Sequence, residues 1–544
     1  MIRPLLFIAV GLAFSGPLQA RVDDDSTYIR LARAIETFGA VFREVNSRYV
    51  DEIDPKELVD VGVGAMLEYL DPYSEYFEEE ETDEVESITT GSYVGFGITV
   101  ASIDSVLTIT DVREGGPAKA AGIRIGDHLL SIDSTRTDTL LSRELRPYTR
   151  GPAGSSARLR LLREGLSDTL DLVLQRSELD LTSVGIKEVL AGDIAYVNLV
   201  RFSRKSSAEL RAALADLRSR SAFKGLILDL RDNPGGLLEA AIDVVELFVP
   251  QGSRIVSTRG RDDEDFVEYT SQNEPLEPTT PLVVLINDQS ASASEIVAGA
   301  LQDLDRAVII GSRSFGKGLV QSIIPLSEQS LLKLTTARYY TPSGRCIQRL
   351  NYRSDSALTD TTVYTTLGGR RVSATHGIDP DSTVSDSMFT QTIQHLLSGN
   401  LIQRFATRSA ASLKELPSGF TAGRDQFDGF LRFLAEQPAD KRSPLIADLM
   451  RTIERARRER WPQTSILTLE TARKTLERDL EQALRREQSQ ILMLIDLEMR
   501  TRFGTATERD RRLLPVTPTV KAALDVLSSI RHRQFLTGEL PSNH

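Results

Sequence analysis

The sequence predicts a multidomain α/β fold, made of a helical N-terminal segment, a small β-rich domain, an α/β core and an all-α C-terminal extension. Three observations predict it. The chain has 544 residues, several times the ~150 that one domain takes. Between residues 193 and 311, four runs rich in Val, Ile and Leu alternate with helical stretches, the pattern of sheet strands covered by helices. Beyond Gly399 the strand signal fades, and helix-like stretches rich in Arg and Glu take over.

Composition narrows the function classes. The formal charge of −12 argues against a nucleic-acid binder, which would carry a basic footprint. The single Cys346 cannot build a zinc ribbon or a disulfide framework. No two of His128, His376, His395, His532 and His544 have the i, i+4 spacing of a helical metal pair, so neither metal nor cofactor is expected. The charge is also uneven: residues 401–544 hold 25 Lys and Arg against 19 Asp and Glu, and so carry a surface of the opposite sign.

In chain order, residues 1–20 open with Arg3, continue through the apolar run Leu5 to Phe14 and end at Leu18-Gln19-Ala20. That is the pattern of a cleaved secretory signal, too short to span a bilayer. The mature chain is expected to be exported, periplasmic or otherwise extracytoplasmic, and membrane-associated if the signal is not cleaved. Residues 21–88 carry apolar side chains at helical spacing, among them Ile29, Ala34, Ile35 and Phe38, then Leu58, Val61, Met66 and Leu70. The acidic run Glu78 to Glu81 with Asp83, Glu84 and Glu86 lacks the spacing of a calcium loop and reads as a solvated linker.

Residues 89–177 change to short β-rich runs, Tyr93 to Val100, Val106 to Val112, Leu129 to Ile132, Ala157 to Leu162 and Thr169 to Leu174. Within them, Gly95, Phe96, Gly97 and Ile98 combine unobstructed backbone N–H groups with apolar side chains, as a pocket for a peptide terminus requires, although a tight turn explains them equally. With Gly116-Pro117-Ala118-Lys119 and Gly126-Asp127-His128-Leu129, they resemble a PDZ domain. In residues 178–400, strands are expected at 193–203, 223–230, 281–287 and 306–311, with helices over Ser207 to Arg220, Leu237 to Phe248 and Ala293 to Leu304. Residues 401–544 form the helical extension, with helices over Leu445 to Arg460 and Leu467 to Arg502.

Candidate chemistry lies where the strand Pro281 to Ile286 runs through Asn287-Asp288-Gln289-Ser290-Ala291-Ser292-Ala293-Ser294-Glu295 into a helix. A serine in such a turn is exposed as in a nucleophile elbow, and Ser292 lies near the positive helix end. Helix capping by Ser290, Ser292 and Ser294 explains the same pattern. A hydroxyl nucleophile needs a base. His376 is the best histidine. Lys317, set among Gly and Phe between two apolar runs, could serve if burial lowers its pKa from ~10.4 toward neutrality. Gly311 to Gly318 nearly matches a phosphate-binding loop, but Gly318 stands where a hydroxyl must hold magnesium and a strand follows where a helix should. The turn Arg231-Asp232-Asn233-Pro234-Gly235-Gly236 could offer oxyanion donors together with the N–H of Ala293, or could be a plain turn before a helix.

These runs, with Leu70-Asp71-Pro72-Tyr73-Ser74 and Thr335 to Arg345, resemble the carboxyl-terminal processing (tail-specific) protease family over residues 30–385. The resemblance implies a crotonase/Clp-protease-like catalytic core and a serine endopeptidase working by a Ser-Lys dyad through an acyl-enzyme. Ser292 would be the nucleophile, Lys317 the general base and Gln321 the residue orienting it. Gly235, Gly236 and Ala293 would supply the oxyanion hole, and Gly95, Phe96, Gly97 and Ile98 would bind the substrate tail. Asp303 matches an acidic position of structural character, and Cys346 replaces a frequent Ser. Arg150, just before Gly151, would link the β-domain to the core. Implied partners are protein or peptide substrates with apolar C-termini, with an adaptor or self-association through the C-terminal helices. An inactive exported PDZ scaffold is the alternative.

Overall fold

The computed structural model describes residues 24–78, 90–327 and 330–539, apart from residues 355, 359, 375 and 387. The expected secretory signal and the acidic run after Glu78 lie outside the described residues. The chain divides at Pro72 into two compact units.

The first unit contains two helices, Asp24–Arg48 and Pro55–Glu68. The second begins where proline fixes the first turn and the Asp54 carboxylate accepts the Lys56 N–H at 2.8 Å. No described helix is long and apolar enough to cross a membrane.

The second unit is built on a six-stranded sheet in the order Val184–Leu190, Ile194–Leu199, Gly225–Asp229, Leu282–Ile286, Val308–Gly311 and Ser382–Thr383. The first pair is antiparallel and the others are parallel. The central strands are apolar at nearly every position because both sheet faces are covered. On one face Ala195, Val197, Leu228, Val284 and Ile309 pack against the helices Ser206–Arg220, Leu238–Glu246 and Ala293–Asp303. On the other, Tyr196, Ile227, Val283, Leu285 and Ile310 pack against Val520, Ala523, Val526 and Phe535 from the helices Pro518–Leu527 and Arg531–Leu536. The last segment of the helical extension is therefore the second cover of the core sheet. Each large side chain it buries there contributes about 1.5–3 kcal/mol.

The remainder of the extension has its own core. Phe405, Phe427, Phe430 and Phe433 meet Ile491, Leu494 and Ile495, and the Phe405 and Phe430 rings meet edge to face at 5.5 Å. The helix expected over Leu467 to Arg502 is two helices, Gln463–Arg486 and Gln488–Thr501, which meet at Glu487. In the β-domain, the six-stranded sheet runs Ile98–Ile103, Val106–Val112, Asp127–Ile132, Ser156–Arg163 and Leu170–Gln175, with the short strand Thr135–Arg136 paired to Asp127–Ile132 off that path. The run expected as one strand from Tyr93 to Val100 is broken, because Gly97 takes a φ of 77° that ends the strand Ser92–Gly95 and starts the next.

The helical extension clasps this β-domain. Arg124 donates to the carbonyls of Ala410 (3.2 Å) and Leu413 (2.9 Å) at a helix C-terminus, and Lys119 donates to those of Phe503 (3.0 Å) and Gly504 (2.9 Å). Cations on orphaned helix-end carbonyls are favoured by the local dipole.

Candidate active site

Ser292 sits between the strand Leu282–Ile286 and the helix Ala293–Asp303 with φ 55° and ψ −114°, a strained backbone that non-glycine residues rarely adopt. The flanking serines are committed elsewhere. Ser290 Oγ donates to the Leu230 carbonyl (2.8 Å) and accepts from Asn287 N–H (2.9 Å), and Ser294 Oγ donates to the Asn233 carbonyl (2.9 Å). The Ser292 side chain makes no capping hydrogen bond. Strain at this one residue, with its hydroxyl kept out of the cap, matches a nucleophile elbow better than a helix start.

The turn after the strand Gly225–Asp229 is stitched to this elbow. Asp232 and Asn287 exchange hydrogen bonds at 3.0 and 2.8 Å, and Ala291 N–H donates to the Asn233 carbonyl at 3.1 Å. A Cβ on Gly235 would stand 2.9 Å from Ser292 Cβ and 3.0 Å from Ala293 N. Glycine is thus required where the turn presses on the serine. The Gly235 N–H is taken by Asn233 Oδ1 at 2.9 Å. Among the described residues, the N–H groups of Gly236 and Ala293 enter no hydrogen bond.

Lys317 follows the strand Val308–Gly311 on a loop pinned to the elbow by Phe315 N–H donating to the Ser290 carbonyl at 3.0 Å. One carboxylate holds both backbones. Glu295 Oε2 accepts the N–H of Ser292 at 2.8 Å and that of Lys317 at 2.9 Å, while Oε1 accepts Ser314 Oγ (2.6 Å) and Gly316 N–H (2.7 Å). Glu295 is fully buried. Burial pushes its carboxyl up from the ordinary range, and the four donors pull it back. The Lys317 ammonium lies 4.0 Å above the Tyr73 ring, and Tyr73 shares a 2.8 Å hydroxyl contact with Tyr352.

The other expected residues scatter more. The Gln321 amide donates to Thr335 Oγ1 at 3.2 Å. Asp303 pairs with fully buried Arg345 at 2.8 Å at the far end of the serine's helix. His376 precedes Gly377 and Ile378, both packed on Ser314 in the lysine loop. Cys346 is largely buried, which pushes its thiol up. Sequence reading gave no role to Glu295, Asn233, Tyr73 or the Asp232–Asn287 pair. Only Glu295 left a signal, the Ser-x-x-Glu spacing of a capping box, of which the Glu half is made.

In the β-domain a groove of about 410 Å³ lies between the strand Ile98–Ile103 and the one-turn helices Ser142–Leu145 and Arg146–Thr149. Phe96, Gly97 and Ile98 line it, and Gly95 does not. The Phe96 ring is 1% exposed and belongs to the domain core. The Phe96 and Gly97 carbonyls accept the N–H groups of Ala118 (3.0 Å) and Arg113 (2.8 Å).

The profile of peptidase family S41 matches residues 193–358, that of the PDZ domain residues 108–163, and that of a probable PDZ-protease C-terminal helical domain residues 392–527. The carboxy-terminal-processing protease of Bartonella bacilliformis is 40% identical over 364 residues, covering 65% of this chain and 82% of that protein. The chain belongs to the carboxy-terminal-processing protease family. Carboxy-terminal processing protease CtpA of Bacillus subtilis is 32% identical over 345 residues, 63% of this chain and 71% of its own length. Among solved structures, a photosystem II D1 C-terminal processing protease is 26% identical over 66% of this chain and 94% of its own, with a TM-score of 0.37. As a member of this family the chain is a serine protease with a PDZ domain, and its substrates are proteins.

Proposed function

We propose that this carboxy-terminal-processing protease is an exported endopeptidase that takes the apolar C-terminal tail of its substrate into the PDZ groove and cuts with Ser292 and Lys317. The observation that carries this reading is the strained Ser292, its hydroxyl free of the cap and its backbone joined to that of Lys317 through one buried Glu295 oxygen. Neutral Lys317 takes the Ser292 hydroxyl proton as Oγ attacks the scissile carbonyl. The oxyanion is met by the N–H groups of Gly236 and Ala293, each commonly worth about 3 kcal/mol. Collapse expels the amine, which leaves with the proton from Lys317. Water then adds to the acyl-enzyme by the same base and frees Ser292.

The Tyr73 ring favours the ammonium form of Lys317. Catalysis requires the neutral amine within hydrogen-bond reach of the Ser292 hydroxyl, with Gln321 orienting it. Binding a tail near the cut makes hydrolysis effectively intramolecular. Export rests on the leader-like residues 1–20, and N-terminal sequencing of the secreted or periplasmic protein tests it. The C-terminal helices are read as an adaptor-docking or self-association module, tested by sedimentation of the full chain.

The central test incubates an unstructured polypeptide with an apolar C-terminus with wild type, Ser292→Ala, Lys317→Ala and His376→Ala. Cleavage by wild type and His376→Ala alone supports the dyad. Undiminished cleavage by Ser292→Ala or Lys317→Ala overturns it, and no cleavage by any of the four favours an inactive scaffold.

A further inference from the structure

The turn that carries Gly235 and Gly236 is tied to the helical extension at its first residue. Arg231 opens that turn, its side chain 13% exposed. Its Nε and Nη2 donate to the Asp229 carboxylate at 3.0 and 2.5 Å, and its backbone N–H donates to the same group at 2.9 Å. The remaining nitrogen, Nη1, reaches beyond the core. It donates to Asp386, just past the edge strand Ser382–Thr383, and to the Thr519 hydroxyl, both at 2.8 Å. Thr519 is fully buried in the first turn of the helix Pro518–Leu527. Asp386 closes the ring, accepting the Thr519 hydroxyl at 2.7 Å and its N–H at 3.2 Å, at a helix end where a carboxylate is favoured.

What this anchor holds is strained. Asp232, the next residue, has φ 59°, a left-handed backbone that persists only where its surroundings over-determine it. On one side stands Asn287 of the elbow, which exchanges hydrogen bonds with Asp232 at 3.0 and 2.8 Å. On the other stands Arg231. Ser292, five residues past Asn287, is strained as well, so two strained turns meet at the Asp232–Asn287 pair. The base of one of them is fixed by a residue 288 positions later in the chain.

We propose that Thr519 and Asp386 are positioning residues, which lock Arg231 and so keep the turn that follows it, with the Gly236 N–H, in register with Ser292. The last helix of the extension then holds the active site as well as covering the sheet. The inference rests on the proposed Ser292 mechanism and its oxyanion donors. A displacement of about 1 Å can cost about 10²-fold in rate, so slack in the anchor is felt in turnover before it is felt in folding.

The test sets the Thr519 hydroxyl against the apolar face of the same helix. An unstructured peptide with an apolar C-terminus is cleaved by full-length wild type, Thr519→Val, Thr519→Ser, Asp386→Asn and Val526→Ala. Both kcat and KM are taken per active site, counted by exhaustive labelling with a serine-directed fluorophosphonate. Thr519→Val keeps the shape and loses both hydroxyl contacts, and kcat is expected to fall about tenfold with KM within about twofold. Asp386→Asn should lose about as much, and the double variant no more than the worse single one, because the three groups form one network. Thr519→Ser should restore kcat to within about twofold of wild type. Val526→Ala, about two turns along the helix, removes apolar cover from the sheet. It should lower the melting temperature and leave kcat within about twofold. The coupling is wrong if Thr519→Val and Asp386→Asn turn over like wild type, or if Thr519→Ser is as slow as Thr519→Val. It is also wrong if Val526→Ala loses as much kcat as Thr519→Val. A wild type that cleaves nothing sinks the Ser292 mechanism, and this inference with it.

Discussion

The helix Ala293–Asp303 carries a buried carboxylate near each end, and the two are satisfied by opposite means. At the C-terminal end Asp303 faces a full countercharge, the fully buried Arg345 at 2.8 Å, with Ser343 N–H at 3.0 Å and the Thr341 hydroxyl completing its shell. At the N-terminal end Glu295 takes only neutral donors, three of them backbone N–H groups from the elbow and the lysine loop. An ion pair between side chains fixes how the helix packs. A carboxylate spread over backbone amides fixes where two other segments lie relative to each other, and the helix dipole helps it stay charged. One end is built for the fold, the other for the chemistry.

The largest effect expected from that contrast is at the N-terminal end. Ser292→Ala should lower kcat by about 10⁶-fold with little change in melting temperature, because the hydroxyl caps nothing. Ser290→Ala and Ser294→Ala each remove a bonded hydroxyl from a buried carbonyl. They should cost about 1–3 kcal/mol of stability and far less activity. Kinetics and thermal melts on the three variants check this, and equal kinetic losses would mean that the run acts only as a cap.

Glu295→Gln sharpens the comparison. The amide keeps the shape but replaces one acceptor oxygen with a donor facing N–H groups, so the elbow and lysine loop should shift and kcat should drop about 10²-fold. Asp303→Ala should do the reverse. It leaves Arg345 buried without its countercharge, costing about 3–5 kcal/mol, while activity per folded molecule stays within about threefold of wild type. Active-site titration beside denaturant melts separates the two. A kinetic defect in Asp303→Ala as large as that of Glu295→Gln would erase the distinction.

The asymmetry also shows what sequence can reveal. The strands and helices of the core were legible because continuous Val, Ile and Leu runs of strand length occur only where both faces are covered. Ser292, Lys317 and the Gly235–Gly236 turn stood out because strand-to-turn junctions rich in Gly and Ser are chemically unusual. What covered the second sheet face was not legible. Val520, Ala523 and Phe535 lie more than 200 residues after the strands they cover, and an apolar helix face does not name its partner. Nor was the role of Glu295 legible. Ser-x-x-Glu marks a helix start, but that the same carboxyl also holds the lysine loop depends on a crossover of more than 20 residues.

The smallest predicted effect is in pH dependence, and it probes the Glu295 end directly. Burial raises this carboxyl above its ordinary value of 4.5, so the native protein holds the proton more tightly than the unfolded chain does. Protons are then lost on unfolding in the window between 4.5 and the raised value, and wild-type stability falls as pH rises through it. Glu295→Gln has no such group. Stability of wild type relative to Glu295→Gln should therefore be greatest at low pH and decline across that window, in chemical denaturation from about pH 4 to 8. A difference that instead grows with pH would mean that the four donors outweigh burial. The carboxylate would then be a net stabiliser like Asp303, and the two ends of the helix would differ in partners but not in energetics.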